Sequence, residues 1–115
     1  MKRINLKGIV AYKGNVKGKA KKIFSNKDVE KFQEGYILVS EYTHPEHLLA
    51  MVKSAGILTE TGSLLCHTAI TGRELKIPCI VRVKGLLDAV DDEDVVEFNE
   101  KGDITIFKSD SDENS

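Results

Sequence analysis

The sequence predicts an α+β domain built in β/β/α layers. Strand-forming segments dominate both ends of the chain, and short buried strands alternate with short helices in its middle. No internal repeat and no linker divides the 115 residues, a length that suits one hydrophobic core. The 41% hydrophobic and 30% charged content is that of an ordinary globular protein. We therefore expect one domain over residues 1–108, followed by a disordered acidic tail over 109–115.

The first segment of the chain predicts two strands. Residues 4–12 form the first strand, and Gly8 allows a bend within it. Gly14 opens a turn, after which residues 16–24 alternate loosely between apolar and polar side chains. This alternation is typical of a strand that is buried on one face.

A short helix and a buried strand come next. Ser25 or Asn26 can cap a helix over residues 27–33, and Gly35 ends it. Residues 36–39 are a compact apolar run between turn residues, which predicts a strand that is buried on both faces.

A second helix is indicated by the spacing of its first residues. Thr43 and Glu46 have the spacing of a capping box, and Pro45 suits a first helical turn. Apolar residues then follow at helical spacing to about Lys53. Residues 56–59 are again a short apolar run, and they predict the next strand.

The third helix follows a polar loop. Residues 60–66 form this loop, and the helix runs from about His67 to Lys76. Pro78 stops it, because a proline disfavours the helical conformation of the residue before it. Ile70 and Ile77, seven residues apart, are expected to face the core.

Three short strands complete the predicted fold. Residues 79–81 form one strand, and residues 95–98 and 103–107 form a closing hairpin around a turn that contains Gly102.

Charge is unevenly distributed, although the net charge is only −1. Residues 2–22 carry eight basic side chains and no acid, whereas residues 91–103 carry seven acids and only Lys101 as a base. Two solvated faces, or a docking surface for an acidic partner, would explain this pattern. The chain has no tryptophan and the basic segment has few aromatic residues, so we expect no nucleic-acid partner.

Cellular location is indicated by what the sequence lacks. There is no run of 18 apolar residues and no signal peptide, so we expect no membrane association. Cys66 and Cys79 are the only cysteines, and a cytoplasmic location with reduced thiols fits them best.

One histidine lies where a small-residue loop meets a helix start. Amides at the start of a helix are unpaired and attract anions. An imidazole held there can accept a phosphoryl group, whose charge those amides would stabilise. Gly62 lets the backbone approach closely, and Thr59, Thr61 and Ser63 offer hydroxyl groups. His67 is therefore the candidate catalytic residue.

Residues 59–81 resemble the signature of a known family, the phosphoenolpyruvate-utilising enzyme mobile domain, also called the phosphohistidine swivelling domain. The family pattern is roughly T-x-G-G-x-x-S/C-H-A-A-I-x-A-R-E-L-G-I-P-A-V-V. This chain reads TETGSLLCHTAITGRELKIPCIV at those positions. Residues 35–39 resemble the family's G-D-I-L-V strand, residues 43–46 its T-x-P-[DE] helix start, and Gly102 its glycine before the last strand. The resemblance covers about residues 8–107.

The resemblance implies a β/β/α swivelling domain that carries a phosphoryl group between two active sites. His67 would be phosphorylated on Nε2, with Nδ1 held by a local acceptor. The implied phosphate loop comprises Thr59, Thr61, Gly62, Ser63, Cys66 and Thr68. Arg73 would have a supporting place near them. The family includes pyruvate phosphate dikinase, phosphoenolpyruvate synthase and enzyme I of sugar phosphotransferase systems.

The chain departs from the pattern at several positions. Thr61 replaces the first glycine of a Gly-Gly pair, which predicts either a stiffer loop or an additional phosphate donor. Thr68 replaces an alanine and adds a hydroxyl to the first helical turn. Leu65 stands where dikinases and synthases often carry a regulatory threonine, so that control is not expected here.

The family's nucleotide-binding and phosphoenolpyruvate-binding domains have no counterpart in the sequence. We therefore expect a stand-alone phosphohistidine carrier that binds no cofactor itself. Separate partner chains would bind nucleotide and phosphoenolpyruvate, pyruvate or another acceptor. Mg with ATP, or phosphoenolpyruvate, is expected at those partners.

Two alternatives remain open. The first is a non-catalytic interaction or regulatory module that reuses the fold, which the substitutions at Thr61 and Thr68 motivate. The second is a zinc site formed by His44, His47 and the Cys66–His67 pair, although this spacing matches no compact zinc motif. We expect no metal site.

Overall fold

The computed structural model describes residues 2–108, so the predicted tail at 109–115 lies outside the described residues. The strands are β1 (Lys2–Lys7), β2 (Ile9–Tyr12), β3 (Val16–Lys22), β4 (Ile37–Ser40), β5 (Gly56–Thr59), β6 (Cys79–Val81), β7 (Val95–Phe98) and β8 (Asp103–Lys108). The helices are α1 (Asn26–Lys31), α2 (Leu48–Lys53), α3 (His67–Leu75) and α4 (Leu86–Ala89), with a 3-10 turn at Pro45–His47.

The strands form one mixed sheet in the order β1-β8-β7-β3-β4-β5-β6-β2. Strands β1, β8, β7 and β3 pair antiparallel, whereas β3, β4, β5 and β6 pair parallel. The two edge strands, β1 and β2, are consecutive in the chain and meet at Gly8. A Cβ at Gly8 would lie 2.6 Å from side-chain atoms of Ile80 and Val83, so no side chain fits at this bend. The chain does bend at Gly8 as predicted, but the single strand predicted over residues 4–12 is wrong, because its two halves belong to opposite edges of the sheet.

The sheet folds into two layers, and helices cover one of them. Ile37 and Val39 of β4 pack against residues of β7 and β8, between the two halves of the sheet. Leu38, which points to the opposite face, packs against helical residues such as Met51 and Ala69. The parallel strands are buried on both faces, and this explains their continuous apolar sequences. The β/β/α layering predicted from the sequence is confirmed.

The second predicted helix differs from the structure at its start. His44, not Thr43, precedes the 3-10 turn, and its amide donates to Nδ1 of His47 over 3.2 Å. The capping box between Thr43 and Glu46 is therefore wrong, because the Thr43 side chain turns toward α3 instead. Of the apolar residues in α2, Met51 is buried, whereas Leu49 is 70% exposed.

Helix α3 packs on the sheet through its smallest residues. Ala69 and Gly72 are buried, whereas Ile70 is 42% exposed, so its predicted core position is wrong. A Cβ at Gly72 would lie 2.9 Å from Cβ of Cys79, so the glycine permits close packing. The helix ends at Leu75, and the left-handed conformation that terminates it falls on Lys76, with φ of 58°.

The basic and acidic segments of the sequence form ion pairs with each other. The ion pairs are Lys7–Asp103 (3.4 Å), Lys19–Glu93 (3.8 Å), Lys21–Asp92 (3.5 Å) and Lys22–Asp91 (3.9 Å). Much of the basic segment therefore faces charges of its own chain. This pairing weakens the case for a separate docking face for an acidic partner.

Lys108 lies at the centre of a further charge cluster. Its ammonium contacts the carboxylates of Asp91 (3.0 Å) and Asp94, and Asp94 is buried. Burial alone would lower the pKa of Lys108, but its hydrogen bonds to both carboxylates raise that pKa above the ordinary value. The Lys108 hydrogen bond in turn lowers the pKa of Asp91.

Among the described residues, no helix has the length and apolarity needed to cross a membrane.

Candidate functional site

The candidate site lies at the carboxyl ends of the parallel strands β4, β5 and β6. The loops that follow them, residues 41–47, 60–66 and 82–85, meet at this edge of the sheet. Carboxyl ends of parallel strands are the usual position of ligand sites in sheets of this kind. Most of the site residues predicted from the sequence belong to the middle loop and the helix that follows it.

His67 is the first residue of α3 and is partly exposed. Cys66 caps the helix without a side-chain hydrogen bond. Ile70 is the first helical residue whose amide bonds back, to the carbonyl of Cys66 over 3.0 Å. Within residues 2–108, the amides of His67, Thr68 and Ala69 have no hydrogen-bond partner. The predicted group of unpaired amides is therefore present, and it consists of the amide of His67 and those of the next two residues.

A buried pair of hydroxyl groups holds the imidazole. Oγ1 of Thr43 lies 3.1 Å from Nδ1 of His67 and 2.6 Å from Oγ1 of Thr68. The Thr43 amide also donates to Oγ1 of Thr68 over 3.2 Å. Both threonines are almost fully buried, with 5% and 2% exposure. Because Nδ1 is engaged, Nε2 is the ring nitrogen left for other chemistry.

Sequence reasoning missed Thr43 as a site residue. It recognised only a possible capping function, because the partners of Thr43 lie 24 and 25 positions further along the chain. The resemblance did predict an acceptor for Nδ1 but named no residue. The strand order could have indicated this contact, because residue 43 follows β4 at the same edge of the sheet as the loop before His67.

The loop before His67 is fixed by internal hydrogen bonds. The amide and hydroxyl of Thr61 both donate to the carbonyl of Glu41, over 3.0 and 2.9 Å. The hydroxyl of Thr59 donates to the carbonyl of Thr61 over 2.9 Å. Thr59 is completely buried, so its side chain supports the loop from the protein interior and does not line the loop's surface. Of the two effects predicted for Thr61, these bonds favour a stiffer loop.

Gly62 has an unusual backbone conformation, as predicted for a glycine in this loop. Its φ of +119° is one that residues with a side chain rarely adopt, and a Cβ there would lie 3.0 Å from Sγ of Cys66. Oγ of Ser63 accepts the amide of Leu65 over 3.2 Å. Arg73 donates to the carbonyl of Leu64 over 2.7 Å, so in this structure it ties the loop to α3.

An open cleft of about 570 Å³ lies beside this loop. Its lining includes the loop residues Thr61, Gly62, Ser63 and Cys66. The remaining lining residues, Glu60, Arg82 and Lys84, were not predicted from the sequence. Arg82 and Lys84 follow β6 directly, so the parallel-strand rule could have placed them at this edge.

Two further histidines lie on the other side of the site. His47 is 5% exposed, and burial, followed by the charge of His44, lowers its pKa below the ordinary value. The charge of His67 acts in the same direction. Within residues 2–108, no group of three or more His, Cys, Asp or Glu side chains is placed to hold a metal ion. The two cysteines are free, and burial raises the pKa of Cys79 to about 12.

The sequence is similar to that of phosphoenolpyruvate synthases. Over 101 residues it is 43% identical to a probable phosphoenolpyruvate synthase of Archaeoglobus fulgidus, a match that covers 87% of this chain and 13% of the relative. The phosphoenolpyruvate synthase of Pyrococcus furiosus is 42% identical over 79 residues, which are 69% of this chain and 10% of that protein. The chain thus spans about an eighth of the length of the first relative.

The fold is also similar to that of solved structures. A solution structure of Enzyme I superimposes with a TM-score of 0.59 and 22% identity, over 72% of this chain and 35% of that one. A sequence profile of the phosphoenolpyruvate-utilising enzyme mobile domain matches residues 32–101, more than half of the chain. This protein therefore belongs to the family of phosphoenolpyruvate-utilising enzyme mobile domains.

Proposed function

We propose that this chain is a phosphohistidine carrier in which His67 accepts a phosphoryl group and passes it on. The observation that carries the proposal is the 3.1 Å contact between Nδ1 of His67 and the buried Oγ1 of Thr43. With a proton on Nδ1, the ring donates to Thr43, and Nε2 presents its lone pair. The hydroxyl of Thr43 then donates to Oγ1 of Thr68, 2.6 Å away.

The transfer step follows from this arrangement. The lone pair of Nε2 attacks the phosphorus of the donor, an N–P bond forms, and the bond from phosphorus to the leaving oxygen breaks. The leaving group departs with that electron pair. The Nδ1 proton stays on the ring, and its bond to Thr43 stabilises the charge that develops there. The unpaired amides at the start of α3 are available to the phosphate oxygens. Delivery to an acceptor reverses the same step.

The donor and acceptor sites are proposed to lie on separate protein chains. The match covers 13% of the phosphoenolpyruvate synthase relative that is 43% identical, so most of that protein lies outside the matched region. Partner chains that bind nucleotide and phosphoenolpyruvate, pyruvate or another acceptor would complete the cycle. Mg with ATP, or phosphoenolpyruvate, would bind at those partners. We place the carrier in the cytoplasm, where such metabolites are present.

The test is to label the intact chain with phosphate. The purified protein is incubated with radiolabelled phosphoenolpyruvate or ATP and a cell extract that supplies partners, and acid-labile phosphate on histidine is measured. We expect labelling of the wild type and of His44→Ala, a matched control in the neighbouring loop, and none of His67→Ala. Persistent labelling of His67→Ala would place the phosphate elsewhere. No labelling with any co-purifying partner would remove the carrier function.

A non-catalytic interaction module is the second candidate, and the exposure of Leu65 favours it. The fold is similar to that of Thermococcus kodakaraensis aconitase X, with a TM-score of 0.66 and 16% identity over 91% of this chain and 99% of that one. A likeness at this identity concerns the fold alone, so the fold does not dictate phosphoryl transfer. In addition, Leu65 beside His67 is 83% exposed, which suits a protein contact. Affinity capture that recovers only partners without phosphotransferase activity, together with an unlabelled His67, would favour the module.

A further inference from the structure

The open cleft beside the histidine loop contains a pair of cations that the transfer step does not use. Arg82 and Lys84 line the cleft together with Gly62, Ser63 and Cys66. Within residues 2–108, neither side chain has a hydrogen-bond or ion-pair partner. In contrast, five lysines on the far half of the sheet are paired with nearby carboxylates: Lys7, Lys19, Lys21, Lys22 and Lys108.

The backbone of Arg82 is in an unfavourable conformation. Its φ of 59° is in the left-handed region, where a residue with a Cβ costs free energy and a glycine does not. The Arg82 amide donates to the carbonyl of Thr61 over 3.3 Å, and this bond fixes the residue against the histidine loop. Lys76 and Glu93 share this backbone conformation, so Arg82 is set apart by its place in the lining of the cleft.

One acid lies in the cleft, and its carboxylate already has a partner. Glu60 accepts the amide of Leu87, in the first turn of α4, over 2.7 Å. The two cations therefore exceed the single carboxylate in the cleft lining. Arg82 offers a planar fork of donors that matches carboxylate and phosphate groups, and Lys84 adds a point charge. Cys66, which lines the same cleft, directly precedes His67.

We propose that this cleft binds an oxyanion group, phosphate or carboxylate, of the small molecule that exchanges its phosphoryl group with His67. Arg82 is the main ligand and Lys84 assists it. This assignment rests on the proposed carrier function. It means that the chain itself contributes to recognition of the small molecule and does not leave all of that recognition to its partners.

The test measures binding to the intact chain without any phosphoryl transfer. Inorganic phosphate and oxalate are titrated separately, at constant ionic strength, while backbone amide NMR signals are followed. We expect saturable shifts at Gly62, Ser63 and Arg82. The double variant Arg82→Gly/Lys84→Gln should weaken this binding at least about tenfold, because a charge-assisted hydrogen bond is lost. Tighter binding of oxalate than of phosphate would identify a carboxylate, and the reverse would identify a phosphate.

A matched control separates the cleft from general charge effects. Lys76 is also an exposed cation with a left-handed backbone, φ 58°, but it lies at the opposite end of α3. Lys76→Gly should bind both probes like the wild type, and Arg82→Gly should fold normally because glycine suits φ 59°. Absence of saturable shifts in the cleft, or equal weakening by Lys76→Gly, would overturn the proposal.

The same titration distinguishes this proposal from the carrier function. His67→Ala lacks the phosphoryl acceptor but keeps the cleft, so it should still bind the probes. Loss of labelling in the carrier test with intact probe binding would refute only phosphoryl transfer. Normal labelling without probe binding would refute only the cleft.

Discussion

Replacing Thr43 with valine should slow phosphorylation of His67 and leave the fold intact. The substitution keeps the shape of the side chain and removes the one hydroxyl that touches the ring, 3.1 Å from Nδ1. A hydrogen bond of this kind contributes about 1–1.5 kcal/mol, which corresponds to about a tenfold lower transfer rate. Thr43→Val also leaves the buried hydroxyl of Thr68 without its 2.6 Å partner. We expect a loss of about 1–2 kcal/mol in the free energy of unfolding from that change.

Two variants separate the effect on the ring from the effect on stability. Thr68→Val removes a hydroxyl that does not touch the imidazole but that accepts the amide of Thr43 and contacts the Thr43 hydroxyl. It should therefore destabilise the protein at least as much as Thr43→Val, yet slow the transfer less. Thr43→Ser keeps the hydroxyl and should transfer at a rate near that of the wild type.

The measurements are single-turnover transfer to the chain, urea denaturation and nitrogen NMR of the imidazole. The NMR spectrum should show the Nδ1-protonated tautomer as the main neutral form of His67 in the wild type and a smaller share of it in Thr43→Val. If Thr43→Val transfers as fast as the wild type, or if the tautomer shares are unchanged, then the hydroxyl pair does not orient this ring and the reasoning fails.

Three further predictions concern the loop, the helix and the charge cluster. Gly62→Val should reduce labelling of His67 more than tenfold at a stability cost of about 1–3 kcal/mol. The control Gly35→Val, with φ of +92° and no atom within 4 Å of its Cβ, should show a similar stability cost and normal labelling, and equal labelling of both variants would refute the role of the loop. Gly72→Ala should destabilise the protein by about 1–3 kcal/mol in urea titrations although alanine favours helix, and unchanged stability would mean that α3 is not tightly packed on the sheet. Because the pKa of Asp91 is lowered and that of Lys108 is raised, their pairing should stabilise the fold between about pH 4 and pH 10. The stability difference between wild type and Lys108→Met should shrink as the pH falls through the lowered pKa or rises through the raised one, and a pH-independent difference would contradict the pairing.

The sequence predicted best those elements whose physics is local. Residues 56–59, 79–81 and 95–98 were predicted as strands and have those bounds in the structure, because each is a compact apolar run between turn residues. Helix α4 was missed because four residues are too few for a periodic pattern. Ile70 was placed in the core because seven-residue spacing suits a helix face, but close packing at Gly72 selects a different face of α3 for the sheet.

The candidate site was predictable in part for the same reason. Gly62 and the start of α3 are features of one continuous segment, so their conformation follows from neighbouring residues. Thr43 and Arg82 reach the site from other strands, and only the parallel register of β4, β5 and β6 brings them together. Sequence spacing carries no information on such contacts unless the strand order is known. The capping-box spacing at Thr43 was therefore a plausible local explanation, but a tertiary contact prevailed.

The departures from the family pattern bear on whether His67 has kept its chemistry. If the histidine were an unused remnant, the hydroxyl at Thr68 would have no reason to be buried in contact with the residue that holds the ring. Instead Oγ1 of Thr68 accepts the amide of Thr43 and lies 2.6 Å from the Thr43 hydroxyl, and the amide and hydroxyl of Thr61 both donate to the carbonyl of Glu41, just after β4. Both substitutions add hydrogen bonds that restrict the surroundings of the ring. A site that gains such restraint is organised for a defined orientation of the imidazole, and the proposed phosphoryl transfer through Nε2 requires such an orientation.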